Sequence, residues 1–286
     1  MKIVDRKDID IGRWNKLVRS TKESSFFSYG WYLDAVAENW CVLVNDDYSC
    51  GIALPFSTRF GVVTLYTPIF VRYVEILGNE ESSIDFEQLI RTRFTNICLA
   101  TKKQLFNGSS EQVYQNIKKN NDRNVGSQAK RMLKKASKLK LTTYQSNEYE
   151  LVLSSIKEGL ENKHQGLNSK SMLSLEQLIK NAKTENALNV IQIDYTGGIV
   201  CLESDREILY LKGVVDDSTK KNGGMYLALN TAIENAIDAN KNFDFGGSKV
   251  EGVKGFNHNL GGKNVVYYLY ENVNYPWWYR LMKKMK

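Results

Sequence analysis

The chain says nearly the same thing twice. Residues 47–52 read DYSCGI and residues 194–199 read DYTGGI, 147 positions apart. Extended at that offset, the two stretches stay in step. DYSCGIAL (47–54) lies over DYTGGIVC (194–201), and GVVTLY (61–66) over ILYLKG (208–213). Further on, EQLIRTRF (87–94) lies over ENAIDANK (234–241) and NICLAT (96–101) over FDFGGS (243–248). An Asp-Tyr-Ser/Thr cluster between apolar runs reads as a turn between two strands. Each copy therefore predicts a hairpin, a third strand, a helix and a short further strand. Helical spacing of apolar residues precedes the hairpin in both copies, over 9–20 and 28–38 in the first and over 147–161 and 171–183 in the second. Two copies of one α/β (α+β) unit, each a mixed sheet flanked by helices, account for the shared order of elements.

A length of 286 residues suits two domains of ordinary size. The offset divides the chain into a first domain over 1–117, a linking helix over 118–140 and a second domain over 141–286. No apolar run approaches the roughly 20 residues that cross a bilayer, and MKIVDRKDID places acids where a signal peptide is apolar. A cytoplasmic protein is the expectation. Two histidines, and four cysteines (Cys41, Cys50, Cys98, Cys201) without CxxC spacing, predict no metal site and reduced thiols in the core. The charge is uneven. KKNNDRNVGSQAKRMLKKASKLK (118–140) holds nine Lys or Arg against Asp122, so this one segment carries more than the whole chain's net +7. Such a run is either a solvated helix face or the footprint of an anionic partner.

With this order of elements established, three stretches carry a family likeness. FFSYGWYLDAV (26–36), NGGMYLALNTAIENAI (222–237) and DFGGSKVEGVKGFNHNLGGK (244–263) resemble motifs of the FemAB-like (Fem-type) aminoacyltransferases. That family belongs to the GNAT superfamily and places two N-acyltransferase folds in tandem. The likeness covers nearly the whole chain, and DFGGS is its most specific part. It implies transfer of an aminoacyl or acyl group to an amine of a cell-wall or glycan precursor. It also implies aminoacyl-tRNA or acyl-CoA as donor substrate, with no permanently bound cofactor. Many Fem relatives carry Lys after the Phe of the late motif, where this chain has Asn257. An acetyl-CoA-dependent GNAT enzyme and a non-catalytic binding protein that keeps the fold are the alternatives.

Acyl transfer to an amine requires a neutral attacking amine, donors for the oxyanion and a site that holds both partners. Lys212, Asp244 and Asn257 are the candidate catalytic residues. Lys212 interrupts the apolar strand ILYLKGVV and, by strict alternation, shares a face with Tyr210; the same lysine could equally be an edge charge. Gly246, Gly247 and Ser248 end a strand after Asp244, where glycines serve either a close approach to an acyl group or a turn. Asp244 is a site carboxylate or a cap. Gly223 and Gly224 open a helix beside Lys220 and Lys221, fitting a phosphate cradle or a plain helix start. Lys254 and Lys263 flank the late motif as candidate substrate ligands or surface residues. His164 is a proton acceptor or a helix-end histidine. The tail YPWWYRLMKKMK (275–286) suits a peripheral contact with an acidic membrane surface or a docked terminal helix. The first copy has Leu99 and Ala100 where Gly246 and Gly247 stand, and Leu65 where Lys212 stands, so the chemistry is expected in the second copy.

Overall fold

Short apolar runs bounded by turn residues dominate residues 1–101, and they form strands. The structure, a computed structural model, describes residues 1–78, 85–119, 123–146, 148–161, 169–247 and 250–284. The chain opens with β1 (Lys2–Asp5), α1 (Ile11–Ser20) and α2 (Gly30–Val36). Asp10 starts α1 by accepting a hydrogen bond from the Arg13 amide. Trp14, Leu17 and Val18 then fall on one buried face at helical spacing. There follow β2 (Asn39–Val44), β3 (Cys50–Arg59), β4 (Val62–Tyr66), β5 (Ile76–Gly78), α3 (Phe86–Arg91) and β6 (Asn96–Thr101). β1 to β4 run antiparallel in sequence order, and β6 joins β4 in parallel. WCVLV of β2 is buried throughout, as a central strand covered on both faces must be.

The second half repeats the plan. β7 (Ser110–Ile117) and α4 (Ser127–Lys138) come first. Then follow β8 (Thr143–Ser146), α5 (Glu150–Glu161), α6 (Ser169–Thr184), β9 (Leu188–Ile193), β10 (Gly197–Glu203) and β11 (Glu207–Val215). The short α7 (Asp217–Lys221), α8 (Gly224–Asp238), β12 (Asn242–Asp244), α9 (Glu251–Asn259), β13 (Lys263–Asn272) and α10 (Trp277–Lys284) complete the chain. Strands β8, β9, β10 and β11 are antiparallel neighbours, and β12 joins β11 in parallel. The strand orders of residues 39–101 and 188–244 are thus the same, and the expected pair of mixed sheets flanked by helices is present.

The doubled phrase has a physical cause. Tyr48 and Tyr195 both adopt left-handed backbone, at φ 57° and 58°, and each turns the chain between two strands. Three residues further on, Gly51 and Gly198 lack room for a side chain. A Cβ would lie 2.9 Å from the Leu43 carbonyl oxygen in one copy and 2.2 Å from that of Ile191 in the other. The hairpin brings the two backbones that close.

The domain boundaries differ from the linear expectation. One compact unit comprises Met1–Gln112 with Val266–Lys286, and the other Val113–Val265. The cause is the closing strand of each sheet. β7 follows β6 in sequence but pairs with β12, through Ile117 with Phe243 and Asn116 with Asp244. β13 follows β12 but pairs with β6, from Tyr268 opposite Thr101 to Asn272 opposite Ile97. The basic helix is likewise no free linker. α4 packs its buried Ala129, with Met132 and Leu133, into the core formed by Leu229 and Ile233 of α8 and Phe243 of β12. Unit 1 has its own core of Leu43, Ile52, Leu65, Ile90, Phe94 and Leu99. Cys41, Cys50 and Cys201 are buried, and burial pushes the Cys41 thiol up to about 12.

Candidate active site

β11 and β12 run side by side for only three residue pairs: Glu207 with Asn242, Ile208 with Phe243 and Leu209 with Asp244. β11 continues to Val215, but the other chain turns away through Phe245, Gly246 and Gly247. Both glycines are left-handed, at φ 75° and 79°. Gly246 passes so close to β11 that a Cβ would stand 2.3 Å from the Tyr210 carbonyl oxygen. Asp244 fixes this turn, since its Oδ1 accepts the Gly246 amide at 2.8 Å. Two parallel strands that part at their carboxyl ends make a crevice, and such crevices are where ligands sit in α/β sheets.

A bulge lies at the same point. Tyr210 pairs with Cys201 and Lys212 with Val200, leaving Leu211 as an extra residue on β11. This overturns strict alternation. Cys201 and Val200 point to opposite faces, so Tyr210 and Lys212 do as well. Tyr210 packs against the α8 core with Cys201 and Ile208, and burial pushes its phenol up. Lys212 lies on the opposite face, the one that α5 packs against. It is half-buried, and burial pulls its ammonium below the ordinary lysine value. Among the described residues no carboxylate pairs with it. Gly213 marked the bulge in the sequence: a Cβ there would meet Ile199 Cγ2 at 2.5 Å, and an isolated glycine inside a strand often signals such an irregularity.

Behind the glycine turn lies a buried chain of amides. Asn257, on α9 and 3% exposed, donates from Nδ2 to Gln115 Oε1 at 3.1 Å. Gln115, fully buried on β7, donates in turn to Asn264 Oδ1 at 3.0 Å. The Gln115 carbonyl also accepts the Phe245 amide. Gln115 and Asn264 carried no signal in the sequence, because neither lies in a recognisable motif and their meeting depends on β7 reaching β12. The late glycines have packing reasons: a Cβ on Gly262 would lie 2.8 Å from the Phe245 ring and 2.9 Å from the Asn257 carbonyl.

The remaining candidates are dispersed. Gly223, at φ 94°, and Gly224 are both taken up by packing. A Cβ on the first would meet the Met132 carbonyl of α4 at 2.4 Å, and on the second the Thr219 methyl at 2.4 Å. Lys254 pairs with Glu251 one turn earlier on α9, at 3.4 Å. Lys263 is exposed at the start of β13. Ser248 and His164 lie outside the described residues. In the basic segment, Arg123 is structural: it donates to the Leu260 carbonyl and Asn230 and pairs with Glu234. Lys130, Arg131, Lys134, Lys135 and Lys138 of α4 remain exposed, with Lys220 and Lys221 of α7 also exposed. The Lys135 ammonium donates to the Lys221 carbonyl, which ties the two helices together. Trp277 of α10 is 73% exposed. No helix of the described residues is long and apolar enough to cross a membrane, and no group of metal-ligating side chains occurs among them.

No family model matches the chain and no curated protein matches it in sequence. Solved structures do match in fold. The C-terminal domain of a lysylphosphatidylglycerol synthetase from Agrobacterium fabrum superposes with a TM-score of 0.62 at 11% identity, covering 96% of each chain. FemX superposes with a TM-score of 0.61 at 8% identity, over 94% of this chain and 98% of its own. L-PGS from Bacillus licheniformis gives 0.56 at 9% identity, over 96% and 95%. The chain shares the fold of these structures over nearly its whole length.

Proposed function

We propose that the chain is an N-acyltransferase of FemAB-like type, and that unit 2 carries the reaction. The observation that supports this most is the opening between β11 and β12, where a bulge and two left-handed glycines coincide. Backbone N–H groups released from the ladder at the bulge are suited to hold the carbonyl oxygen as it gains charge. The acceptor nitrogen attacks the acyl carbon, the C=O becomes an oxyanion, and the donor's oxygen or sulfur leaves with the bond's electron pair. Lys212, whose ammonium burial makes easier to deprotonate, takes the proton from the attacking amine and passes it to the leaving group. Asp244 acts as a positioning residue through the Gly246 amide, and Asn257 as another through Gln115.

The donor is an aminoacyl-tRNA. The exposed lysines and arginine of α4, continued by Lys220 and Lys221, suit backbone phosphates, and the glycines at the start of α8 are used in packing. The names of the lysylphosphatidylglycerol synthetase structures fit an aminoacyl donor. The acceptor is an amine of a cell-wall or glycan precursor. The test is fluorescence anisotropy with labelled charged tRNA over a salt series, run beside acetyl-CoA calorimetry. Binding that falls with salt at a slope of about −0.7 to −0.9 per phosphate contacted supports the reading. Silence at low salt overturns the tRNA donor, and acetyl-CoA binding in its place favours the acetyltransferase alternative. Turnover with any acyl donor excludes a purely binding protein.

A further inference from the structure

The transfer reading leaves α10 without a task. Its sequence is WWYRLMKK, and helical spacing sorts these residues into two arcs. Positions 277, 278, 281 and 282 hold Trp, Trp, Leu and Met, while positions 280, 283 and 284 hold Arg, Lys and Lys. After Glu271 the sequence has four basic residues and no acid. Unit 1 holds the start of the helix in place. The Asn274 amide donates to Oδ1 of Asn96, buried on β6, at 2.9 Å. Arg280 donates from Nε to the Tyr275 carbonyl at 2.9 Å and from Nη2 to Asn274 Oδ1 at 3.2 Å. The Tyr275 and Tyr279 rings lie 4.9 Å apart. This anchoring leaves the tryptophans outside. Trp277 is 73% exposed and Trp278 37%, whereas Trp14 and Trp40 are buried. A helix docked on a protein core turns its apolar stripe inward. Neighbouring indoles that face water beside a basic arc instead fit the interface of an anionic bilayer, where the rings sit at headgroup level and the cations meet lipid charge.

We propose that α10 docks on an anionic lipid surface. The apolar arc enters the boundary between headgroups and acyl chains, and the basic arc meets lipid phosphates. The surface is independent of the transfer reading, because no residue of unit 2 takes part.

Co-sedimentation of the full chain with vesicles tests it, one set mixing phosphatidylglycerol with phosphatidylcholine and the other of phosphatidylcholine alone. Binding to the anionic set should be at least about tenfold stronger, since each basic residue near such a surface contributes about fivefold. Lys283→Gln with Lys284→Gln should weaken it about tenfold or more for the same reason. Trp277→Ala with Trp278→Ala should also weaken it at least about tenfold, with the thermal midpoint retained because neither indole belongs to a core. On vesicles with brominated acyl chains, indole fluorescence should be quenched in the wild type and not in this variant. Replacing Lys130, Arg131, Lys134 and Lys138 of α4 by Gln should cost less vesicle binding than either change in α10. No binding to anionic vesicles overturns the proposal, as does binding that survives loss of both indoles or that brings no quenching. A larger loss from the α4 variant would assign the lipid contact to α4 and overturn it as well. If the tryptophan variant keeps vesicle binding and loses tRNA binding, α10 is an RNA contact and the proposal fails.

Discussion

The two units treat the same junction in opposite ways. In unit 1, β4 and β6 run parallel from Thr64 beside Asn96 to Tyr66 beside Cys98. The gap beyond them is then filled by the unit's own chain. The Ala100 amide donates to Thr67 Oγ1 at 2.7 Å, the Val74 amide to the Ala100 carbonyl and the Lys102 amide to the Val74 carbonyl, both at 2.9 Å. In unit 2 the strand end turns away through the left-handed Gly246 and Gly247, and the counterparts of Thr101 and Lys102, Ser248 and Lys249, lie outside the described residues. A sheet edge that has its hydrogen bonds made internally is a structural edge, whereas one released by a bulge has donors to offer. Unit 1 uses its junction to finish a core; we propose that unit 2 keeps its own open to substrate.

The largest effect expected from this contrast is on turnover. Lys212→Ala should lower kcat by about 10²–10⁴-fold, the range for a lost proton-transfer group, with the thermal midpoint retained. Unchanged activity would remove the assignment of chemistry to unit 2. Gly246→Ala comes next. Its left-handed φ and the 2.3 Å approach to Tyr210 should cost stability by at least the roughly 1–3 kcal/mol of a strained backbone position. The counterpart in unit 1 already is a side-chain-bearing residue, so Leu99→Gly should destabilise through lost packing instead, by about 2–5 kcal/mol. Urea titrations of both should agree in size but differ in activity: only Gly246→Ala should lose turnover beyond its loss of folded protein.

A pH series gives a smaller signal. Because burial lowers the Lys212 pKa from 10.5, the unfolded chain binds the proton more tightly. Stability attributable to this group therefore rises with pH between the lowered value and 10.5. Lys212→Met should raise the melting temperature at neutral pH by about 1–4 °C, with the gain shrinking as pH nears 10.5. A gain that stays constant with pH would show that burial of the charge is not its cause. Smallest in stability is the replacement of Lys130, Arg131, Lys134 and Lys138 by Gln on α4. It should change the unfolding free energy by about 0.5 kcal/mol or less and flatten the salt dependence of tRNA binding by about three units. An unaltered slope would make this face a merely solvated one.

Much of this was legible in the sequence. The hairpins follow from DYSCGI and DYTGGI because turn glycines and left-handed tyrosines leave a local signature, and local signatures survive low identity. Helix faces such as Trp14, Leu17 and Val18 were readable for the same reason. What escaped reading depends on long-range pairing. Alternation put Tyr210 and Lys212 on one face, and a single extra residue at Leu211 separated them. The Asn257–Gln115–Asn264 chain joins residues 142 apart between Gln115 and Asn257, a distance no local pattern spans. The glycines before α8 looked like a phosphate cradle, since sequence shows that a Cβ is absent but not which neighbour excludes it.

The exchanged closing strands also set an order of events on the ribosome. The first hundred residues of unit 1 emerge before any of unit 2, yet Leu99 must wait for Tyr270, 171 positions later. A newly made β6 therefore stands with one edge unpaired while all of unit 2 is synthesised, at about 5–20 residues per second. Unit 2 suffers no such delay, because its own closing strand β7 is made before the rest of it. The later-encoded unit is thus the first that can finish folding, and a chain halted before residue 266 would present a complete second unit beside a first one open to aggregation along β6.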